Sequence, residues 1–376
     1  MVIKLPLKKP APESESKIQS SYERFKLLYM EKLEKSLITI FKEGWSINLG
    51  VIRTLGLLAC PYILIGIFSS ESLLYTGSPP HSLPPPLRIA VELIRWGLSS
   101  STSIAINVFF FIYIIYLGYR LYQKHKSFVK KYKRYVIEPI IKVINPSFKY
   151  FPEKHISEND YLESGLFRNH EHFKGDDLIT GTIEDFEFTM SEVHTYYHSG
   201  HGKNRTRHNI FDGLFFVFKY KKYLQFYTCI HPDFAERLLG KLFGQKLQSL
   251  ISSDKHGELV KLENPDFEKI FKVTSTDQIE SRTILTPVMM EKMVRFYEEV
   301  GQKPIYFAFK KNIVYVGISK ALNNRSISPN QFFEPPSFLI MPQKASFNFA
   351  KNIYDTVNIP VEIAKEINDN ASVWKK

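Results

Sequence analysis

Hydrophobic and polar positions divide the chain into three regimes. Near the N-terminus, Ile18, Tyr22, Phe25, Tyr29, Leu33, Leu37 and Ile40 recur at three- and four-residue steps, the spacing of one face of an α-helix. The polar face then disappears. Leu98 to Tyr119 is a run of 22 residues without a charge, with Val108-Phe-Phe-Phe-Ile-Tyr-Ile-Ile-Tyr116 at its centre. At about 1.5 Å per residue such a helix covers a hydrocarbon layer of about 30 Å. Ile47 to Ser70 is apolar apart from Arg53, which lies near one end, where a long side chain reaches the headgroups. The pattern therefore predicts a two-helix transmembrane hairpin. Its connector, Glu71–Gly97, has five prolines among the eight residues Pro79–Pro86 and reads as a stiff turn. After the second span, Leu121, His125, Phe128, Tyr132 and Tyr135 form another helical stripe that Pro139 ends. The two stripes are spaced to pair as an antiparallel stalk, or else each packs on the following domain or on lipid.

From about Lys149 the pattern changes again. Phe186, Phe188 and Met190 alternate with Glu187 and Thr189, a half-buried strand. Ile210–Tyr220 and Tyr223–Ile230 read as a hairpin turning at Lys221-Lys222, and Ile305–Phe309 with Ile313–Ile318 as another turning at Lys310-Lys311-Asn312. Further strands are expected at Glu258–Leu262 and Phe267–Ser275, and a helix after Pro232. Thr286-Pro287 marks a helix start, with Met289, Met293, Phe296 and Val300 on its apolar face. Strands arriving as hairpins with helices between them predict an antiparallel α+β domain. The expected order is an N-terminal amphipathic helix (1–46), the transmembrane hairpin (47–119), a basic helix (120–148) and the α+β domain (149–376).

The net charge of +12 suggests nucleic acid until it is divided along the chain. Residues 1–53 hold ten Lys/Arg against six Asp/Glu, and 54–119 balance. Arg120, Lys124, Lys126, Lys130, Lys131, Lys133 and Arg134 contribute +7, leaving +1 for 135–376. That distribution is a topology and anionic-headgroup signal rather than a nucleic-acid face. It places both termini in the cytoplasm and makes the chain a multi-pass membrane protein. The N-terminus has no apolar signal-peptide core. Two cysteines, Cys60 and Cys229, make no disulfide framework.

Gly181–His194, Phe211–Phe216, Leu262–Phe271, Thr276–Pro287 and Phe333–Pro336 together resemble a bacterial family known only as domain of unknown function 3137. The resemblance spans about residues 20–340. It implies two membrane spans before the domain and a bacterial origin, hence a place in a bacterial inner membrane, and it supplies no catalytic residues to carry over.

Two constellations bear on chemistry. His194, His198, His201 and His208, with His170 and His172 upstream, supply imidazoles, the usual nitrogen ligands of zinc. Ser199–Arg207, however, reads as a polar cationic hairpin loop, and no carboxylate or cysteine completes a set at regular spacing, so no metal is expected. Asp277, Gln278, Glu280 and Arg282 form a polar cluster between a strand and a helix. It is suited to gripping a ligand, or is structural, with Glu280 and Arg282 paired on one strand face. Phosphate-binding glycine loops, HExxH, Gly-x-Ser-x-Gly and Cys-x-x-Cys are absent. The expectation is a membrane-anchored, non-enzymatic module binding a protein or other ligand, with no cofactor. Anionic lipid and a protein are its partners, no nucleic acid is bound, and a homo-oligomer is possible. The alternatives are a membrane-bound enzyme such as a hydrolase, or a secreted bacterial protein that inserts into host membranes.

Overall fold

The computed structural model describes residues 21–46, 49, 50, 53, 56, 101–184, 186–202, 205–233, 257–320, 333–335 and 347–371; side chains at 101–111, 221, 222 and 369–371 are outside the description. The chain forms two compact units. One comprises Met1–Glu31, Val136–Glu334 and Phe347–Lys376, the other Lys32–Tyr135 and Pro335–Ser346.

The transmembrane hairpin is not found among the described residues. Among the described residues no helix is long and apolar enough to cross a membrane, which overturns both the two-span architecture and the multi-pass inner-membrane location. Helix α2, Ser101–Tyr132, runs from the uncharged stretch into the basic run without a break. Its side chains are described from Ile112 onward. Ile112, Tyr113, Ile115 and Tyr116 are exposed on this segment. Of the expected first span only Leu49, Gly50, Arg53 and Gly56 are described, and the connector Glu71–Gly97 lies outside the described residues, as does the helix expected after Pro232.

Helix α1 (residues 21–46) contains a π-helical turn at Tyr29–Leu33, and its part from Lys32 onward, in the smaller unit, meets α2. Lys131 Nζ lies 2.7 Å from Glu43 Oε1, and the Phe128 ring closes on Gly44, where a Cβ would stand 3.1 Å from it. Residue 43 faces 131 while 44 faces 128, the order that antiparallel helices require. Leu37, Ile40, Phe41, Phe128 and Tyr132 are buried, as both stripes demand. A π-helical turn at Lys133–Ile137 then slips the register. Val136 is buried and Tyr135 exposed, the reverse of an uninterrupted four-three repeat.

The larger unit is an antiparallel sheet with helices. Its strands are β1 (Lys149–Phe151), β2 (His172–Ile183), β3 (Phe186–Ser199), β4 (Thr206–Pro232), β5 (Glu258–Val260), β6 (Phe271–Ser275) and β7 (Ile305–Ser319). They order as β1-β2-β3-β4-β6-β5, with β7 also paired to β4. The helices are α3 (Glu138–Ile144), α4 (Glu158–Glu163), α5 (Pro265–Glu268), α6 (Gln278–Ile284), α7 (Pro287–Glu299) and α8 (Phe347–Ala371). Phe267 therefore sits on a helical turn capped by Asn264, not in a strand.

The two expected hairpins are instead one long two-stranded ribbon. β4 and β7 pair from Gly213↔Ser319 to Ile230↔Phe307, with register shifts at Lys219/Leu224 and Leu224/Tyr227. The polar doublets mark these bulges rather than turns. Leu224 stands opposite Lys311, whose φ is 55°. On its other edge β4 pairs first with β3 and then with β6.

Leu-Phe-Phe-Val-Phe of β4 is buried on alternate faces, which accounts for its unbroken apolar run. One face carries Phe211, Phe215, Val217, Cys229 and Tyr315, capped by Ile156, Tyr161 and Leu166 around α4. Tyr161 Oη lies 2.8 Å from Thr195 Oγ1 within it. Burial pushes the Cys229 thiol up to about 12. The other face carries Phe186, Phe188, Phe216 and Phe218 in mutual ring contact, and α8 packs near β3. Tyr354 of α8 stacks on Phe25 at 4.7 Å and meets Ser21 Oγ at 2.8 Å. Helix α7 starts where expected: Thr286 Oγ1 accepts the Met289 N–H, and Met289, Met293 and Phe296 are buried.

At Gly213 the ribbon leaves no room for a side chain, because an added Cβ would fall 2.0 Å from the Ile318 carbonyl oxygen. Gly213→Ala is expected to lower unfolding stability by about 1–3 kcal/mol in denaturant titration. Gly301→Ala, at a site with open space but φ 78°, is expected to cost less than Gly213→Ala.

Candidate functional site

Along β3 the residues Phe186, Phe188 and Met190 face one way, and Glu192, His194, Tyr196 and His198 continue that face as polar groups. Pairing aligns Asp176, Lys174 and His172 of β2 with Glu192, His194 and Tyr196, and Asp212 of β4 with His194. One end of an aromatic sheet face thus becomes a field of carboxylates, imidazoles and guanidinium groups.

Its inner part is acidic. Glu192 is 6% exposed; its Oε1 accepts the Phe333 N–H at 2.9 Å, and Lys320 Nζ lies 3.4 Å from Oε2. Burial pushes its carboxyl up to about 7, against the pull of Lys320, while Asp176 adds repulsion. Lys320 also reaches Asp212 at 3.1 Å, and His194 Nδ1 stands 3.5 Å from the same carboxylate. Burial opposes ionisation of Asp212, yet His194 and Lys320 together hold it below the usual carboxylate range. Beside this group, oxygens of Asp176, Asp177 and Glu334 lie within 4.8 Å of one another. Asp177, at a β2 bulge with φ 57°, accepts a short hydrogen bond from the Tyr150 hydroxyl. Burial, then the Asp177 charge, raises the Tyr150 phenol well above its ordinary range.

The outer part is cationic and aromatic. The β3–β4 turn carries Lys203, Arg205 and Arg207 with four histidines between His194 and His208, and no Asp or Glu. The Arg207 guanidinium lies 3.8 Å from the Tyr196 ring centroid and contacts His194 Nε2. On the opposite face, Arg168 lies 3.3 Å from the centroid of Tyr197. His172 stacks on Tyr196 at 4.6 Å. Glu171 Oε2 accepts the His198 N–H and lies 3.0 Å from His198 Nδ1. Ser199 Oγ meets His208 Nε2 at 2.6 Å.

Residues 209–369 match the family model described as "Protein of unknown function (DUF3137)". The match runs from β4 into α8 and contains four of the five segments that carry the resemblance; Gly181–His194 lies before it. No curated protein matches the chain. Among solved structures it is similar to the crystal structure of the mycobacterial trehalose monomycolate transport factor A, TtfA. That likeness has 10% identity and a TM-score of 0.30, covering 60% of this chain and 93% of that one. A likeness at that level carries no argument about fold or function.

The cluster expected on a strand lies on a helix. Asp277 is the N-cap of α6, its carboxylate accepting the Glu280 N–H at 2.7 Å. Gln278 Oε1 accepts from Arg282 Nη2 at 3.2 Å, and the same guanidinium reaches the Lys261 carbonyl at 3.5 Å. Glu280 turns away from Arg282 and accepts the Gln225 and Phe226 N–H groups at 3.2 and 3.3 Å. These donors lie at the β4 bulge, where the ladder to β7 is interrupted. Residues two apart share a face on a strand but lie far round a helix, so the expected Glu280–Arg282 pair does not form. Of the basic run, Arg120, Lys124, Lys126, Lys130, Lys131 and Arg134 are exposed, whereas Lys133 is buried at 5%.

Glu192, Asp212, Asp176 and Lys320 do not stand out in the sequence as site residues. The signal was the period-two polar series Glu192-x-His194-x-Tyr196-x-His198 directly after an aromatic one.

Two measurements probe these assignments. Glu280→Ala is expected to cost about 1 kcal/mol, because the bulge N–H groups lose their acceptor, and Arg282→Ala distinctly less. For Glu192, the folded carboxyl titrates near 7 against an ordinary 4.5. The folded state therefore binds the extra proton between those values, and stability falls as pH rises through them. Glu192→Gln removes that loss, so its stability relative to the parent chain is expected to improve by on the order of 3 kcal/mol from pH 4.5 to above 7 in urea titrations.

Proposed function

We propose that this chain is a non-enzymatic binding module whose sheet domain holds an acidic segment of a partner protein at the β3–β4 turn. The observation that carries this reading is the pair of arginine–tyrosine stacks, Arg207 on Tyr196 and Arg168 on Tyr197, one on each face of a single hairpin. A guanidinium held through its flat face keeps donors at its edge for carboxylates. Stacking also removes rotamer entropy that binding would otherwise cost. Tyr and Arg are the side chains that dominate protein interfaces, and the turn adds cationic charge without an acid among its own residues.

The enzyme alternative, built around Glu280 and Arg282, is disfavoured by where those groups are engaged. Glu280 bonds the backbone of β4, and Arg282 bonds Gln278 and the Lys261 carbonyl. Both serve the chain's own architecture.

The test uses the full chain and a short fluorescein-labelled poly-glutamate peptide, followed by anisotropy. Binding is expected to weaken steeply with added salt, and Arg205→Ser with Arg207→Ser to weaken it by at least about tenfold at unchanged melting temperature, as loss of desolvated charge contacts does. Equal binding by the parent and the double variant would end this reading.

A further inference from the structure

We infer that Glu171, His172 and His198 form a binding site for a divalent transition-metal ion, zinc being the best fit. The inference is independent of any partner at the hairpin. One ligand atom from each of the three side chains lies within 4.8 Å of the other two, although in sequence the carboxylate and the second imidazole are separated by most of β2 and β3. The sequence pattern did not reveal the set because Glu171 stands just before β2 and His198 at the end of β3. Antiparallel pairing alone brings them together: the Glu171 N–H donates to the Tyr196 carbonyl at 3.1 Å, and His172 is in register with Tyr196.

Two imidazoles and one carboxylate are a donor set that divalent zinc accepts, with metal–ligand bonds of about 2.0–2.2 Å and a fourth position left to water. Ligand atoms around such an ion stand about 3.2–3.6 Å apart by that geometry. The His198 Nδ1 to Glu171 Oε2 separation is already 3.0 Å, and the separations to His172 are no more than 4.8 Å. The donors are also held in place. Glu171 is anchored by the His198 N–H, the His172 ring lies flat on Tyr196, and the His172 and His198 rings are edge-on at 5.4 Å. Ligands mounted on paired strands keep their spacing better than ligands on a loop.

The site already attracts a cation. Arg205 Nη2 lies 3.1 Å from His198 Nδ1 and 3.7 Å from Glu171 Oε2, against two of the three donor groups. Arg205 precedes β4 at the end of the turn, and a metal would displace it. Its charge therefore competes with the ion, which gives the proposal a signed consequence that scattered surface histidines would not produce.

The experiment titrates the full chain with zinc chloride in the presence of a chromophoric chelator. One equivalent is expected to bind. His172→Ala and His198→Ala are each expected to weaken that binding by at least about tenfold. His201→Ala is expected to leave it unchanged, and Arg205→Ala to tighten it. Circular dichroism melts of the metal-free variants establish that each remains folded. If His198→Ala melts early, His198→Gln replaces it, and the same weakening is expected. Absence of stoichiometric binding, retention of affinity in His172→Ala, or loss of affinity in Arg205→Ala overturns the assignment. Because the metal alone is the probe, its failure leaves the acidic-peptide result unaffected, and failure of the peptide to bind leaves the metal result unaffected.

Discussion

The larger unit depends on the pairing of β4 with β7. This ribbon runs from Gly213↔Ser319 to Ile230↔Phe307 and survives two register shifts without separating into hairpins. An extra residue in one strand of a pair normally bends it and increases its twist. Here the irregularity in β4 meets a left-handed residue, Lys311, in β7, so both strands change direction together. The interrupted ladder leaves the Gln225 and Phe226 N–H groups to another acceptor, and Glu280 supplies it from α6. The helix is thereby tied to the bend by backbone hydrogen bonding. On the far edge of β4, the same bend separates the part that pairs with β3 from the part that pairs with β6.

Local chemistry was readable where a few neighbouring residues decide the outcome. Thr286-Pro287 specifies a capped helix start within one turn, and Met289, Met293 and Phe296 specify which side faces inward. The alternation at Phe186–Met190 likewise needs nothing beyond its own strand. The Lys221-Lys222 and Lys310-Lys311 doublets failed as turn signals because a polar break between apolar runs fits a bulge equally well. Which of the two forms depends on whether a second long strand lies alongside, and no local pattern contains that information. Glu280 and Arg282 were misplaced for a related reason: the spacing argument held only for a strand, and Asp277 capped a helix instead.

The polar end of the sheet was half legible. Its histidines stood out, but their carboxylate neighbours came from elsewhere in the chain. Glu192 is exposed to repulsion from Asp176 and stabilised by Lys320 and the Phe333 N–H, three contacts separated from it by 16 to 141 residues. The uncharged run Leu98–Tyr119 was the opposite case, with a strong local signal read too literally. Continuation of its helix through Lys124–Lys131, and the packing of Phe128 and Lys131 on α1, place it in a longer element whose described part does not meet the requirement for crossing a bilayer.

The burial of Cys229 has a consequence for following the core in time. Its sulfur is wholly enclosed beneath the β4–β7 pair, and its thiol is held in the neutral form by that enclosure. A neutral thiol out of reach of solvent does not react with alkylating reagents. Modification at this position therefore waits for the α4 cap to lift from the sheet face that holds it, and its rate at saturating reagent is the rate of that opening. The chain carries its own chemical clock for the core that the ribbon supports.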